Sequence, residues 1–411
     1  MGNKGAFLNF FFAWRYFKSK KTTNAINIIA WISVAAIAVG TASLIIVLSV
    51  FNGFEDLVKS LYKDFYSDIK ISAQVGKKII LTPQQILQLK KINGIAQLSL
   101  IAEEKAFLTN DENHITVIVK GVDENYIRTG QIQQHIIRGK FNLGTTQFPQ
   151  MVVGSAIEDA LAINVEQQIA PAILYMPNLN AANFTATDAL NSYNILPSGT
   201  FLIQQDFDNK YVFTNLGFVK YMLNMQPDEY TSAEIKIASG SSSNEIKKII
   251  RQTLGKNYLV ETRYEQNKSL YSAMTTERVI IYVILSLILF IAAFNMIGAL
   301  IMIVLEKQKD IAVLKAVGAT NSSIQKIFLT EGIVLAGAGT VAGIIIALIV
   351  CLAQINFHLV KLGGSTFLID YFPVQLRFAD FVLVLFTVLI ITLIASWLPA
   401  RKAAQNNVSL K

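Results

Sequence analysis

The stretch TTNAINIIAWISVAAIAVGTASLIIVLSVFNGF, Thr22 to Phe54, contains no Asp, Glu, Lys or Arg. A helix rises about 1.5 Å per residue, so about 20 residues cross the hydrocarbon of a bilayer. Three further charge-free runs follow: Val279–Leu305, Gly332–Val360 and Phe381–Ala400. Each is long enough to span, and the spacing predicts four transmembrane helices. The first run is far longer than the apolar core of a signal peptide and has no small-residue cleavage site after it, so it is expected to be an uncleaved helix.

Composition agrees. Of 411 residues, 53% are hydrophobic and only 16% charged, against about 25% charged in a soluble domain. One cysteine permits no internal disulfide, and three scattered histidines (His114, His135, His358) make a multi-His metal centre improbable.

Charge then orients the chain. Lys4, Arg15, Lys18, Lys20 and Lys21 precede the first run. Lys307, Lys309, Lys315 and Lys326 lie between the second and third, and Arg401, Lys402 and Lys411 follow the fourth. Over 1–21, 306–327 and 401–411 the only acids are Glu306 and Asp310, so these segments sum to +10 against a net +8 for the chain. The positive-inside rule places them, and both termini, in the cytoplasm. The basic excess is a topology signal and does not point to nucleic acid.

Residues 56–278 are then extracytoplasmic and long enough to fold around their own core. Asp68–Ala73 alternates as a strand. Thr82-Pro83-Gln84-Gln85 is a capping box with Pro at the first helical position, opening a helix to about Lys91, and Gln97–Leu108 reads as strand. Ala233–Ala238, Ser243–Leu254 and Tyr258–Glu261 repeat strand, helix and strand. Two such units suggest a split, ferredoxin-like sheet. Residues 110–225 would be a second lobe inserted into it, with strands at Ile115–Val119 and Phe201–Gln204 and a helix near Ala156–Ala162.

The fold class expected is an α-helical membrane protein with four transmembrane helices and a two-lobed α+β extracytoplasmic domain between helices 1 and 2. Its segments are an N-terminal interfacial helix (1–25), span one (26–54), the outer domain (55–278), span two (279–305), a cytoplasmic coupling segment (306–327), span three (328–357), a short outer loop (358–380), span four (381–400) and a tail (401–411). The aromatic and basic stretch Phe7–Phe17 carries the interfacial character. Gly339-x-x-x-Gly343 would let helices of one subunit approach closely, and Asn295, a polar group within span two, is expected to find a helix partner.

No motif promises chemistry. There is no G-x-x-x-x-G-K-[ST], since Gly76-Lys77-Lys78 and Gly255-Lys256-Asn257 lack the pattern, and no H-E-x-x-H or G-x-S-x-G. The spans contain almost nothing ionisable, unlike most ion-coupled transporters. An energy source outside the chain is implied, so this chain is expected not to be an enzyme. The segment Glu306–Lys326, EKQKDIAVLKAVGATNSSIQK, places Ile311, Leu314, Lys315 and Gly318 at helical spacing. It reads either as an ordinary interfacial loop or as a lever for a cytoplasmic motor.

EKQKDIAVLKAVGAT resembles the coupling segment of the MacB/FtsX-like permeases, the type VII ABC transporters, and Leu398-Pro399-Ala400-Arg401-Lys402-Ala403-Ala404 resembles their closing P-x-R-x-A element. Arg15-Tyr16-Phe17-Lys18-Ser19-Lys20-Lys21, Leu48-Ser49-Val50-Phe51-Asn52-Gly53-Phe54-Glu55, Asp68-Ile69-Lys70-Ile71-Ser72, Gly121-Val122-Asp123 and Ala292-Ala293-Phe294-Asn295 narrow the resemblance to the lipoprotein-releasing LolC/LolE permeases. That resemblance implies a bacterial inner-membrane subunit working with a second permease, the same chain or a sister, and a LolD-type ATPase dimer that binds ATP and Mg. It implies release of triacylated lipoproteins from the outer leaflet to a LolA-type periplasmic carrier. This chain itself would bind no cofactor. It also implies a coupling site of Glu306, Lys309, Asp310, Leu314, Lys315 and Gly318, with Leu314 as apolar anchor. An apolar substrate path is expected along Leu44, Val47, Leu48, Ile284 and Leu287, beside membrane lipid. Pro177, Phe184 and Pro197 mark where such permeases can carry a carrier-binding hook, over Asn178–Asn194. A MacB-like exporter and an FtsX-like regulator of cell-wall hydrolases share the topology. The former has its ATPase fused at the N-terminus, where this sequence has 25 residues before the first span, and the latter has a shorter outer loop.

Overall fold

The computed structural model describes residues 24–166, 171–178, 190–362 and 371–405. The expected interfacial stretch Phe7–Phe17 lies outside them. The chain forms α1 (Asn24–Phe65), β1 (Ile69–Ala73), β2 (Ile79–Ile80), α2 (Pro83–Lys90), β3 (Ile95–Asn110), β4 (Asn113–Val122), β5 (Ile136–Gly139), β6 (Gln150–Gly154), α3 (Ser155–Ala160), β7 (Ala172–Pro177) and β8 (Leu190–Phe201). It continues through β9 (Tyr211–Asn215), α4 (Leu216–Met222), β10 (Glu229–Tyr230), β11 (Ser232–Ile237), α5 (Ser243–Leu254), β12 (Tyr258–Thr262), α6 (Lys268–Glu306), α7 (Gln308–Ala316), α8 (Asn321–Phe357) and α9 (Phe378–Gln405). Short helical turns lie between some of these.

Two compact units result. The helical unit takes the described residues up to Asp56, Ser272–Leu362 and those from Tyr371, and the α+β unit takes Leu57–Tyr271. Four helices, α1, α6, α8 and α9, are long and apolar enough to cross a membrane, and the chain is a multi-pass membrane protein.

The helices outrun the charge-free runs. α1 has 42 residues and continues through Glu55 to Phe65. Charge marks the edge of lipid-compatible sequence but does not end a helix. Beyond it the apolar residues recur at helical spacing: Leu57, Leu61 and Phe65 join an aromatic cluster of the α+β unit with Phe201, Phe207 and Phe213. α6 likewise starts at Lys268, 11 residues before Val279.

Within the helical unit the core runs through Val34, Ile37, Ile45, Leu48, Leu289, Met296, Leu300, Phe328, Leu335, Val388 and Ala400. Gly339 and Gly343 sit on the backbone of α1. A Cβ there would stand 2.7 Å from the Val34 carbonyl oxygen and 2.5 Å from that of Ala38, so the pair sets the approach of α1 and α8 inside one subunit.

The α+β unit is built on one ten-stranded sheet in the order β12-β1-β11-β3-β4-β9-β6-β8-β5, with β7 pairing both β3 and β8. Its first four strands have the split order expected of two strand–helix–strand units, and all their pairings are antiparallel. The capping box at Thr82 is present, with Gln85 reciprocating. The middle of the chain makes no separate sheet. β3 is 16 residues long; its first half pairs β11 and its second half pairs β4 and β7. β3 ends at Asn110, where the insert was expected to begin, and it is shared: one sheet carries both the outer four strands and the strands of the expected insert.

Candidate functional site

The coupling segment forms α7, set off from α6 by Lys307. Ile311 and Ala312 are buried, and Ile311 belongs to the same core as Ile324, Phe328, Ala400 and Ala403. The Lys315 ammonium donates to the Ala404 carbonyl at 3.0 Å, tying α7 to the C-terminal turns of α9. Lys307 pairs with Asp310 at 3.3 Å. Gly318 ends the helix at φ +98°, a conformation that favours glycine, and Thr320 caps α8 by accepting from the Ser323 amide.

The exposed face of α7 is not the one expected. Leu314, Lys315 and Glu306 are half-buried, whereas Lys309, Asp310 and Gly318 are exposed. The apolar side chains offered outward are Val313 and, at 83% exposure, Val317. Their i, i+4 spacing is readable in the sequence. Which face of α7 is covered depends on the ends of α8 and α9, and these come from distant sequence.

At the opposite end of the bundle lies a polar belt that sequence reading missed. Asp380 is 2% exposed. It accepts from Arg278 Nη2 at 2.7 Å and from Asn52 Nδ2 at 2.5 Å. Arg377 bonds Glu55 at 3.2 Å and Asp56 at 2.8 Å, and the Gln375 amide donates to the Ser49 carbonyl. Helices α1, α6 and α9 are thereby joined by two guanidinium and three carboxylate groups. Each of these five charges stands just outside a charge-free run. That position is the signal the sequence offers for them.

The expected path residues divide. Leu44 and Leu48 are buried in the helical core, and Val47 is half-buried. Ile284 and Leu287 are exposed on α6 with Ile280, Val283, Ile288 and Ile291. Asn295 is exposed on the same helix. The helix partner expected for it is not supplied by a helix among the described residues of this chain.

The hook segment starts from a hairpin. β7 and β8 pair antiparallel from Ala172↔Ile195 to Pro177↔Leu190. Pro177 ends β7, and Pro197 lies within β8 opposite Met151 of β6. Leu190–Asn194, assigned to the hook, are strand, which shortens the connection. Phe184 lies outside the described residues.

The α+β unit also buries an ion pair. Lys120 on β4 meets Glu234 on β11 at 2.7 Å, with 4% and 6% of their side chains exposed. The rings of Phe65, Tyr126 and Phe213 lie within 5.9 Å of the ammonium, a cation–π setting. Burial alone would push the Lys120 ammonium down, but Glu234, Tyr126 and Glu103 outweigh it and hold its pKa well above the ordinary lysine value. Burial pushes the nearby Tyr66 hydroxyl up to about 12. Among the described residues no cluster of His, Cys, Asp and Glu could hold a metal ion.

Residues 30–253 match the MacB-like periplasmic core domain, and residues 282–408 match the FtsX-like permease C-terminal domain. The lipoprotein-releasing system transmembrane protein LolE of Haemophilus influenzae is 26% identical over 413 residues, covering 96% of this chain and 97% of its own. LolC proteins of the same system from Xylella fastidiosa and Neisseria meningitidis are each 23% identical, with 95% of both chains covered. The periplasmic region of MacB from Actinobacillus actinomycetemcomitans covers 53% of this chain and 98% of its own at 11% identity, with a TM-score of 0.35, a likeness too weak to bear on the fold. More than half of the sequence falls within the MacB-like periplasmic core, and the chain belongs to that family, as a homologue of the LolC/LolE transmembrane proteins over nearly its full length.

Proposed function

We propose that the chain is the permease subunit of an ATP-driven transporter that extracts triacylated lipoproteins from the outer leaflet of the bacterial inner membrane. It passes them to a LolA-type carrier in the periplasm. The observation that carries this reading is collinearity: relatives named for lipoprotein release align with 95% and 96% of this chain. Basic residues at the α7 end support cytoplasmic termini. The α+β unit, two-lobed and placed between the first two spans, then faces the periplasm.

In this reading a LolD-type ATPase dimer, which holds ATP and Mg, receives α7. Val313 and Val317 supply the apolar contact, with Lys309 and Asp310 beside them. The seating of Ile311 in the core and the bond from Lys315 to Ala404 support a lever role, since a push on α7 reaches α8 and α9 through packed atoms. A second permease, the same chain or a sister, covers the apolar face of α6. The acyl anchor enters along that face near Ile284 and Leu287, where each methylene sheltered from water is worth about 0.8 kcal/mol. The chain catalyses nothing itself.

The test is photocrosslinking in membranes. Crosslinkers at Val47, Ile284 and Leu287 should capture a triacylated lipoprotein, with a lower yield when ATP is supplied. Capture from α8 and α9 alone would reject the path. Deleting only residues 179–189, which leaves β8 whole, should stop transfer to the carrier while ATP hydrolysis continues. Transfer at the normal rate after that deletion would move the carrier site elsewhere.

A further inference from the structure

A cavity of about 300 Å³ opens between α1 and α8 at the polar-belt end of the bundle, lined by Ile46, Val50, Val350, Cys351, Leu359 and Phe372. It is a constructed feature. Gln354, itself buried, donates through Nε2 to the carbonyls of Val360 and Phe372, both at 3.0 Å, and accepts from the Val360 amide at 2.8 Å. One side chain thus satisfies three backbone groups where α8 has ended. His358 turns the chain there in the left-handed region, at φ 49°. Lys361 bridges to Tyr371, and the His358 and Tyr371 rings lie 3.7 Å apart. These contacts hold a short two-stranded roof over the apolar walls. Leu359 is 68% exposed and Val350 is also exposed, so the cavity opens on the surface of the bundle.

Apolar surface by itself selects nothing in a bilayer, because lipid tails are as apolar as leucine. A concave apolar slot with a cationic group at its rim does select, since it fits a tail and an anionic headgroup together. Exposed Lys361 bridges to Tyr371, and the two are chain neighbours of the lining residues Val360 and Phe372. We propose that this slot is a structural phospholipid site: one acyl chain occupies the cavity between α1 and α8, and Lys361 contacts the phosphate. The ligand is a bilayer phospholipid from the leaflet that this end of the bundle meets. The site differs from the path proposed for the lipoprotein, because it takes Ile46 and Val50 of α1 with α8 and the segment after α8, and no residue of α6. It stands on this geometry whether or not the substrate reading holds.

The experiment is native mass spectrometry of the full-length chain with its partner subunits, reconstituted in phosphatidylethanolamine and phosphatidylglycerol and then stripped with mild detergent. The expected result is one retained phospholipid per copy of the chain. Ile46→Trp, which fills the slot, should cut retention at least fivefold. Ile349→Trp, on an exposed face of α8 outside the slot, should leave it unchanged. Lys361→Glu perturbs no core packing and so remains informative if Ile46→Trp fails to assemble. It should lower the retained phosphatidylglycerol to phosphatidylethanolamine ratio about tenfold. Equal retention in Ile46→Trp and the parent protein, or an unchanged lipid ratio in Lys361→Glu, overturns the proposal. So does stoichiometric displacement of the phospholipid by a triacylated lipopeptide, which would assign the slot to the transport substrate.

Discussion

The two ends of the helical unit are held by different chemistry. At the Asp380 end, three helices are joined by charge-assisted hydrogen bonds among Asn52, Glu55, Asp56, Arg278, Arg377 and Asp380. At the α7 end, contact rests on the apolar seat of Ile311 and on the bond from Lys315 to Ala404, while Val313 and Val317 remain outside. A buried charge network is directional and costly to disturb. An apolar seat tolerates small sliding and leaves surface for a partner. The first arrangement fixes helix ends, and the second can transmit a push.

The comparison breaks most readily at Asp380. Asp380→Ala removes the acceptor of Arg278 Nη2 and leaves Asn52 Nδ2 only its long bond to the Gln375 carbonyl at 3.4 Å. Asp380 is buried but Arg278 is 32% exposed, so the guanidinium left behind stays partly solvated. The loss falls toward the lower end of the about 3–5 kcal/mol of a buried pair, and the thermal midpoint of the purified chain should fall accordingly. A midpoint unchanged from the parent would mean the belt is solvated and fixes nothing. The sheet's own buried pair provides a second measurement of similar size. Lys120→Met leaves Glu234 charged and alone, again at about 3–5 kcal/mol, whereas Lys120→Met with Glu234→Leu should recover most of the loss. If the double variant is as unstable as the single one, the pair contributes through its exact geometry and not through charge balance.

These two networks also mark what the sequence could and could not tell. The four spans were legible because lack of charge over 20 residues has one common physical meaning. The order of the first four strands was legible because each strand–helix–strand unit is local, closed by caps at Thr82 and a helix at Ser243–Leu254. The belt was not legible. Asn52 and Asp380 are 328 residues apart, and nothing in either neighbourhood specifies the other. The same holds for Lys120 and Glu234, 114 residues apart, and for the face of α7, which depends on the end of α9. The helices run past the charge-free runs at Phe54 and Val279, and the continuation of α1 is hard to read because its apolar residues belong to a different core.

At the α7 end the expected effects are on binding before stability. Val317→Asp places a charge on a side chain that is already exposed. Folding should be unaffected, while association with the ATPase should weaken by about tenfold, the size of a single hot-spot contact of 1–2 kcal/mol. Leu314→Asp touches a half-buried position and should lower stability as well as association. Pull-down and thermal unfolding on the same preparations separate the two. If Leu314→Asp weakens association without loss of stability and Val317→Asp does nothing, Leu314 is the anchor after all and α7 turns on docking.

The smallest effect sharpens the comparison most, because it asks whether the polar tie from Lys315 to α9 matters. Lys315→Met keeps the length and apolar stem of the side chain but removes the donor to the Ala404 carbonyl. A net hydrogen bond contributes about 1 kcal/mol, somewhat more when the donor is charged, so the thermal midpoint should drop only slightly. The last turn of α9 should lose more than the bundle as a whole, since an amide two residues from a freed helix end exchanges by local fraying. Hydrogen exchange should therefore speed up at Lys402–Gln405 and stay unchanged at Asp380 and Val384. In the transporter, ATP hydrolysis should persist while lipoprotein release per ATP falls, because the push on α7 then lacks its bond to the last turn of α9. Faster exchange at Asp380 as well would show that the two ends share one cooperative unit, and the division between a fixed end and a sliding end would have to be abandoned.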